Sequence, residues 1–304
     1  MDYRSKFVVE PGTKVRFSKI DASYTGKHET HEAALPEIQK HIERLDKLQY
    51  LLYADGSQSL LVVLQALDAA GKDGVIRHVF SGMNPQGTFV FGFKQPSKEE
   101  AAHDFVWRAH VRAPSKGEVV IFNRSHYEDV LVVRVHKLVP ESVWSKRYDQ
   151  INDFETMLTQ NDTTILKFFL HISPEEQLSR FKQRLDDPSR HWKISESDYS
   201  ERELWPKYTD AYEEAIAKTS TKHAPWYIIP SNHKWFRNLA VSQIIADTMD
   251  EMGLKMPPTH VDIADIRRKF HAAEAEQKGG AKHKTPSRPS RAQADAGVVL
   301  RVSA

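Results

Sequence analysis

Asp68, Lys72 and Asp73 lie close together in the chain, just after the five consecutive apolar residues 60–64. A lysine set among glycines and flanked by two carboxylates is a combination that can bind phosphate. The lysine supplies positive charge, and the glycines allow backbone amides to approach the phosphate oxygens. Carboxylates repel phosphate unless a divalent cation lies between them, so the two aspartates indicate a metal-bridged phosphate.

The segments around these residues predict a strand, a tight turn and a helix. Residues 60–64 are typical of a strand buried on both faces, and residues 75–80 can open a helix. The backbone amides of residues 71–74 would then converge at the positive end of the helix dipole. The match to the pattern GxxxxGK[ST] is incomplete, because Ala66 replaces the first glycine and Asp73 the metal-binding hydroxyl. An ordinary strand–helix turn therefore stays open as the alternative.

A second polar cluster follows the apolar residues 119–122, and its members are Asn123, Arg124, Glu128 and Asp129. Ligands of open parallel sheets lie at the carboxyl ends of the strands, where the loop after Leu64 also lies. If the two strands are neighbours, Arg124 and Glu128 come within reach of a phosphate held at Lys72. The alternative is that Ser125 and Glu128 form only a helix capping box.

A third, basic cluster comes later in the chain. Arg180 and Arg184 are one helical turn apart, and the residues 186–193 then interrupt the helical pattern. The functional interpretation is a lid that brings positive charge over a phosphoryl group during transfer. A solvated charged surface is the alternative.

Composition limits the classes of protein that remain. With 304 residues and 40% hydrophobic content, the chain can bury one large core or two modest ones. It has no cysteine, which excludes disulfides, thiolate metal sites and cysteine nucleophiles. No apolar run approaches the roughly 20 residues of a membrane span, and the charged residues 1–6 do not lead into a signal peptide. We therefore expect a soluble cytoplasmic protein that binds no membrane.

The charge is distributed unevenly. The net charge is +2, but residues 278–304 carry six Lys or Arg against one Asp, so the remainder is net negative. We therefore expect no nucleic-acid partner. The lack of periodicity in this C-terminal segment predicts a disordered basic tail, with weak attraction to polyanions as the alternative to simple solvation.

Apolar segments alternate with helical patterns over roughly 200 residues, which predicts an α/β fold with a parallel sheet. We expect Pro36 to open a helix that Asp55-Gly56 ends, and residues 97–110 and 140–158 to form single helices. The domain prediction is an N-terminal extension wrapping the surface at 1–30, a kinase-type domain at 31–258 with a lid at about 184–200, and a helix end with the tail at 259–304.

The three clusters together resemble the family-2 polyphosphate kinases. The resembling segments are 68–74, 122–132 and 184–193, and the similarity runs from about residue 30 to residue 255. The resemblance implies a three-layer α/β/α sandwich of the phosphate-loop kinase type with a helical lid. It also implies Mg²⁺-dependent, reversible phosphoryl transfer from inorganic polyphosphate to a nucleotide, by an enzyme that forms dimers or tetramers. The segment 127–132 is similar to the subgroup that phosphorylates both AMP and ADP, giving ADP and ATP.

Residue roles follow from the resemblance and from phosphoryl-transfer chemistry. The expected catalytic residues are Asp68, Lys72, Asp73, Arg124, Glu128 and Asp129, with Asp68 holding Mg²⁺. Other subgroups carry Asp where Asn123 stands, so Asp73 or Glu128 is the candidate second metal ligand. The expected phosphate and polyphosphate contacts are Ala70, Gly71, Gly74, Arg134, Arg180, Arg184 and Lys193, with Arg112, Lys116 and Lys137 as further channel candidates.

The acceptor nucleotide is expected toward Arg77, Gly82, Asn84, Gly87, Phe93 and Lys94, although a plain surface loop is the alternative for that region. Two other functions stay open. One is an ATP-dependent nucleoside or nucleotide kinase on the same fold, against which Asp73 counts mildly. The other is a non-catalytic polyphosphate-binding protein, which would have no need of Asp68.

Overall fold

This computed structural model describes residues 1–281, without the side chains of Ser197 and of residues 279–281. The strands are β1 (Val8–Val9), β2 (Ser59–Gln65), β3 (Thr88–Gly92), β4 (Val119–Asn123), β5 (Thr163–His171) and β6 (Trp226–Pro230). The helices are α1 (Tyr3–Phe7), α2 (His31–Asp55), α3 (Lys72–Val79), α4 (Lys98–Ala102), α5 (Trp107–His110), α6 (Val132–Val135), α7 (Glu141–Trp144), α8 (Arg147–Gln160), α9 (Pro174–Asp186), α10 (Ser197–Glu203), α11 (Trp205–Thr219), α12 (Lys234–Glu251) and α13 (Ile263–Ala281). Short 3₁₀ segments lie at Phe17–Lys19, Pro85–Gly87, His126–Asp129 and Pro188–Lys193.

The strands form one sheet in the order β1-β6-β5-β2-β4-β3. Five strands are parallel, and only β1, at the edge beside β6, is antiparallel. Leu64 of β2 is in register with Asn123 of β4, so the two polar segments that follow these strands start side by side. The predicted neighbourhood of the two clusters is therefore a consequence of strand pairing.

Apolar side chains of the central strands alternate between two cores, one on each face of the sheet. Val62 and Leu64 belong to the core that α2, α3 and α12 cover. Leu61 and Val63 belong to the opposite core, which α8 and α11 cover. Since helices lie on both faces of a mostly parallel sheet, the predicted three-layer α/β/α architecture is confirmed.

The N-terminal residues do more than wrap the surface, contrary to our expectation. Val8 and Val9 pair with β6, and Tyr3 is fully buried. The Tyr3 ring meets Phe236 of α12 edge to face at 5.3 Å. Met1–Met256 accordingly form one compact unit. The reason is hydrophobic: the aromatic residues of this segment have a partner surface on α12 that only the fold creates.

Three predicted helix boundaries were wrong. Helix α2 begins at His31, five residues before Pro36, because the Thr30 side chain accepts a hydrogen bond from Ala33 N and caps it. The predicted helix 97–110 is two short helices, α4 and α5, separated at His103–Val106. The predicted helix 140–158 is likewise divided into α7 and α8. The predicted end at Gly56 is confirmed, because this residue adopts the left-handed conformation at φ +63°.

The second compact unit starts at Pro257, and its described secondary structure is α13. The basic tail predicted from residue 278 onward lies almost entirely outside the described residues. Among the helices of residues 1–281, none is both long enough and apolar enough to cross a membrane.

Candidate active site

The loop between β2 and α3 surrounds a helix N-terminus. Gly71 caps α3 at φ +108°, and Ala69 also adopts a left-handed conformation at φ +63°. A non-glycine residue held in that region stores conformational strain, which is typical of functional loops. The amides of the first turn of α3 have no carbonyl of a preceding turn to bond, so they are available to an anion.

Lys72 is the first residue of α3, and its side chain is buried. Its Nζ donates a hydrogen bond to the Ala66 carbonyl at 2.9 Å, so the side chain folds back across the loop. Burial lowers the pKa of Lys72, while the Asp68 carboxylate opposes that shift. An anion bound at the first turn of α3 would relieve the same desolvation cost.

Arg124 and Asp68 join the ends of β4 and β2. Arg124 N donates to the Leu64 carbonyl at 3.0 Å, and its backbone is left-handed at φ +62°. This turn directs the guanidinium toward the loop, where Nη2 lies 3.0 Å from Asp68 Oδ1. Asn123 Nδ2 donates to Asp73 Oδ1 at 3.0 Å. The structure thus brings together four residues that the sequence predicts at one site.

Glu128 and Asp129 are adjacent in sequence but have different surroundings. Glu128 Oε1 accepts a hydrogen bond from Gln65 Nε2 at 3.1 Å. Burial raises the pKa of Glu128, and the Arg124 charge opposes the shift. Asp129 instead forms ion pairs with Arg108 and Arg147, both at 3.2 Å. Glu128 therefore belongs to the site, whereas the Asp129 carboxylate joins the surrounding helices.

Sequence reasoning missed Gln65, the last residue of β2. It is fully buried, and its Oε1 accepts a hydrogen bond from Tyr212 while its Nε2 donates to Ser125 Oγ and Glu128. The signal available in the sequence is an amide that ends an otherwise apolar strand.

A cavity of about 250 Å³ opens beside this cluster, between the loop after β2 and the helices α10 and α11. Its charged lining includes Asp68, Arg124, Glu128, Asp198, Glu201 and Arg202. Burial and the nearby Asp68 charge raise the pKa of Asp198. Trp205, Tyr208 and Tyr212 contribute aromatic surface. The volume is near the lower end of small-molecule sites.

Arg180 lies at the site, but its guanidinium is directed toward hydrogen-bond acceptors within the protein. Its Nη1 donates to the Ala69 and Ala70 carbonyls, and its Nη2 to the Ser231 and Asn232 carbonyls. Its Nε donates to Glu176 at 2.7 Å. All five N–H groups of the guanidinium are engaged, so the predicted direct phosphate contact is wrong for this arrangement. Arg180 thus holds the loop between β2 and α3 in place.

The basic residues of the predicted lid point toward site carboxylates. Lys193 Nζ lies 3.4 Å from Asp73 Oδ2. Arg184 Nη1 lies 3.6 Å from Asp198 Oδ2. Both cations are therefore at the rim of the site, where they can exchange a carboxylate partner for a phosphate.

Several other predicted contacts are not brought to the site. Gly87 lies against Gln49, Tyr53 and the Gly117 carbonyl, next to the amino end of β4. We call the loop of residues 66–71, between β2 and α3, the phosphate loop. Gly82, Asn84 and Gly87 are at the opposite edge of the sheet from this loop, because α3 runs away from the carboxyl ends of the strands. The structure therefore does not bring these three predicted nucleotide contacts to the cluster around Asp68 and Arg124.

The remaining nucleotide candidates divide by position. Arg77 is exposed on α3. Phe93 and Lys94 follow β3 at the carboxyl edge, where Phe93 packs on Phe122 at 4.7 Å and the Lys94 carbonyl accepts a hydrogen bond from Arg108. Only the last two are at the edge where the site lies.

Three of the predicted channel cations already have partners within the protein. Arg134 Nη1 lies 2.6 Å from Glu214 Oε2, and Arg112 lies over the Phe91 ring at 5.1 Å. Lys116 pairs with Asp162 at the amino ends of β4 and β5. The position of Lys116 removes it from a channel that leads to the phosphate loop.

Within residues 1–281, no group of three or more His, Asp or Glu side chains is arranged to bind a metal alone. Asp68, Asp73 and Glu128 are oxygen donors close to the loop between β2 and α3, and Asp198 and Glu201 also line the cavity. Mg²⁺ commonly keeps several waters and takes only one or two protein carboxylates together with substrate phosphates. The donor set therefore fits a metal that is shared with a phosphate substrate.

Comparison with known proteins gives the family. The family model described as polyphosphate kinase 2 matches residues 27–257. The chain belongs to the polyphosphate kinase 2 family. It is thus a kinase, and the resemblance found from the three sequence clusters is confirmed.

Two relatives match this chain over almost their full length. The AMP/ADP-polyphosphate phosphotransferase of Meiothermus ruber is 51% identical over 253 residues, which are 83% of this chain and 95% of that protein. The ADP-polyphosphate phosphotransferase of Rhodopseudomonas palustris is 45% identical over 270 residues, 84% of this chain and 92% of that one. The crystal structure of polyphosphate kinase 2 from Arthrobacter aurescens TC1 has a TM-score of 0.86 at 40% identity, covering 90% of this chain and 97% of that one.

Proposed function

We propose that this polyphosphate kinase transfers the terminal phosphoryl group of inorganic polyphosphate to AMP and to ADP. An acceptor phosphate oxygen forms the new P–O bond, the phosphoanhydride bond to the donor chain breaks, and the shortened polyphosphate leaves with the electron pair. The carrying observation is that Arg124 pairs with Asp68 in the lining of a cavity, next to the loop across which the Lys72 side chain folds. The names of the two relatives support the choice of substrates.

The residues of the site divide the work of a reaction that depends on position and charge neutralisation. Lys72 and the amides of residues 71–74 hold the phosphoryl group, and Arg124 neutralises charge that develops on it. Arg184 and Lys193 contact the donor chain once they release their carboxylates. Asp68 would hold Mg²⁺, with Asp73 or Glu128 as a second ligand. Bound Mg²⁺ would neutralise phosphate charge and orient the donor and acceptor.

The experiment is a single turnover of AMP with polyphosphate in the absence of ATP. We expect one ADP per active site, and Asp68→Asn should reduce the rate by several orders of magnitude because it removes the metal-binding charge. Urea unfolding of the variant checks that the fold persists.

The possible outcomes separate the rival functions. ADP formation with ATP but not with polyphosphate would indicate a nucleotide kinase of the ordinary type. Polyphosphate binding without turnover by either donor would indicate a scaffold protein. An Asp68→Asn rate within tenfold of wild type would remove Asp68 from the mechanism. Incubating ATP with shortened polyphosphate in the same assay tests whether the reaction is reversible.

We further propose a cytoplasmic homo-oligomer, a dimer or a tetramer. The support is the outer edge of β3, where Phe89 and Val90 are exposed in a strand without charged residues. Apolar edge strands of this kind favour pairing with another chain. Light scattering of the purified protein measures the molar mass, and a monomer would contradict the proposal.

A further inference from the structure

Arg237, in the first turn of α12, has surroundings that the proposed mechanism does not explain. It is only 2% exposed. Its Nη1 donates to the Ala70 carbonyl at 3.2 Å, and its Nη2 donates to Asn238 Oδ1 at 2.9 Å. Within residues 1–281, no carboxylate forms an ion pair with it. A buried guanidinium without an acidic partner is unfavourable unless something else compensates its charge.

The guanidinium lies directly behind the phosphate loop. A Cβ atom at Gly71 would be 1.9 Å from Arg237 Nη1, and a Cβ atom at Gly74 would be 2.8 Å from Nη2. A side chain at either glycine would therefore displace the Arg237 guanidinium. The turn presents its amides on one side, and the Arg237 guanidinium contacts its other side.

The surrounding charges do not balance. Arg180 lies alongside, and its carboxylate partner is Glu176. Burial and the Arg180 charge lower the pKa of Arg237 to about 9. Two buried guanidinium groups with one carboxylate leave an excess positive charge behind the loop. Lys72 adds a further buried cation on the ligand side.

We propose that Arg237 is a positioning residue whose uncompensated charge is balanced by the phosphate chain bound on the opposite side of the loop. It fixes the Ala70 carbonyl, so that the amides of residues 71–74 face the ligand, and it strengthens anion binding through the backbone. The inference rests on the proposed function for the identity of the anion. It follows that loss of the Arg237 charge should weaken phosphate binding without lowering the stability of the empty protein.

The test measures binding, so it does not depend on turnover. Inorganic tripolyphosphate is titrated by calorimetry into wild type, Arg237→Met and Arg237→Gln. Glutamine can still donate to the Ala70 carbonyl, so it separates the charge from the hydrogen bond and offers a folded neutral variant if methionine does not. We expect both variants to bind tripolyphosphate at least tenfold more weakly. Their resistance to urea without ligand should be equal to or greater than that of wild type.

Two further variants complete the comparison. Arg237→Lys keeps the charge, and we expect its affinity to remain within threefold of wild type. Arg44→Met is the matched control, because Arg44 packs against the same helix α12 through Asp247 and Asp250. It should lower stability or leave it unchanged, without altering tripolyphosphate affinity.

A neutral variant at position 237 that binds tripolyphosphate within twofold of wild type would overturn the proposal. So would an affinity loss of the same size in Arg44→Met. If wild type binds tripolyphosphate but forms no ADP from AMP, the proposed function fails while the role of Arg237 stands.

Discussion

At the scale of single residues, the direction in which a side chain points decides whether it can act on a substrate. Glu128 and Asp129 are neighbours with the same charge, yet the first is held by Gln65 at the site and the second by Arg108 and Arg147. The 3₁₀ conformation of His126–Asp129 points successive side chains to different sides. A carboxylate that lines the cavity can act on a substrate through a cation or a water, whereas one with two arginine partners stabilises the fold.

Glu128→Gln should therefore affect AMP more than ADP. AMP lacks one phosphate, so the protein must supply the coordination that this phosphate would have given, through a cation or water held by Glu128. Glutamine keeps the size and can still accept the Gln65 hydrogen bond. We expect kcat/KM for AMP to fall at least tenfold more than for ADP, about 1.4 kcal/mol of transition-state stabilisation.

Asp129→Asn is the matched control. It weakens the ion pairs with Arg108 and Arg147 and should lower the free energy of unfolding while leaving the AMP-to-ADP ratio unchanged. Equal losses on AMP and ADP for Glu128→Gln would contradict the specificity role and make Glu128 a general structural or catalytic residue.

Residue-level prediction succeeded where strand register does the positioning. Asp68 and Arg124 meet because Leu64 and Asn123 are paired, and the apolar runs before them reveal both strands. It failed where partners are distant in sequence and polar. Arg180 was predicted at the correct place, but nothing local shows that its donors go to backbone carbonyls. Nothing in the sequence indicates the position of Arg237, because its contact with Ala70 joins residues 167 positions apart.

At the scale of elements, helix α2 shows which boundaries a sequence reveals. Its end at Gly56 was predictable because a glycine after the last apolar position is a common helix stop. The predicted start at Pro36 is five residues too late, because Thr30 caps the helix and the proline lies within it. The divided helices α4 and α5 are harder, since the residues between them have no strong breaker.

Gly56→Ala measures how much the glycine at the end of α2 contributes to the free energy of unfolding. A Cβ atom there meets nothing within 4 Å, so the only penalty is the left-handed backbone at φ +63°. We expect a loss of about 1 kcal/mol in the free energy of unfolding, measured in urea, with unchanged turnover.

Gly92→Ala serves as its control. Gly92 also has open space around its Cα, but it has no positive φ. The free energy of unfolding of Gly92→Ala should differ from that of wild type by less than about 0.5 kcal/mol. Similar losses in both variants would mean that the backbone conformation of Gly56 is not the cause.

At the scale of the whole molecule, the N-terminal segment adds a strand to the sheet and contributes to both cores, with Tyr3 in one and Val9 in the other. Strand β1 covers the edge of β6, which would otherwise present unpaired backbone groups. Composition indicated a large core but gave no sign that these residues belong to it, because their aromatic partners are on α12. The α/β fold and its parallel sheet, by contrast, were evident from the alternation of apolar segments and helical patterns along the chain.

Removing residues 1–9 should therefore lower the free energy of unfolding by at least about 3 kcal/mol, the cost of deleting a large buried ring, because Tyr3 leaves a cavity against Phe236. Since α12 also carries Arg237, tripolyphosphate binding should weaken in parallel. Removing residues 280–304 is the comparison, because every site residue named above lies within Met1–Met256. That variant should keep wild-type stability and turnover within twofold. Urea unfolding and the AMP assay, run on both truncations, would contradict this division if the N-terminal deletion were as stable as the full chain or if the C-terminal deletion lost activity.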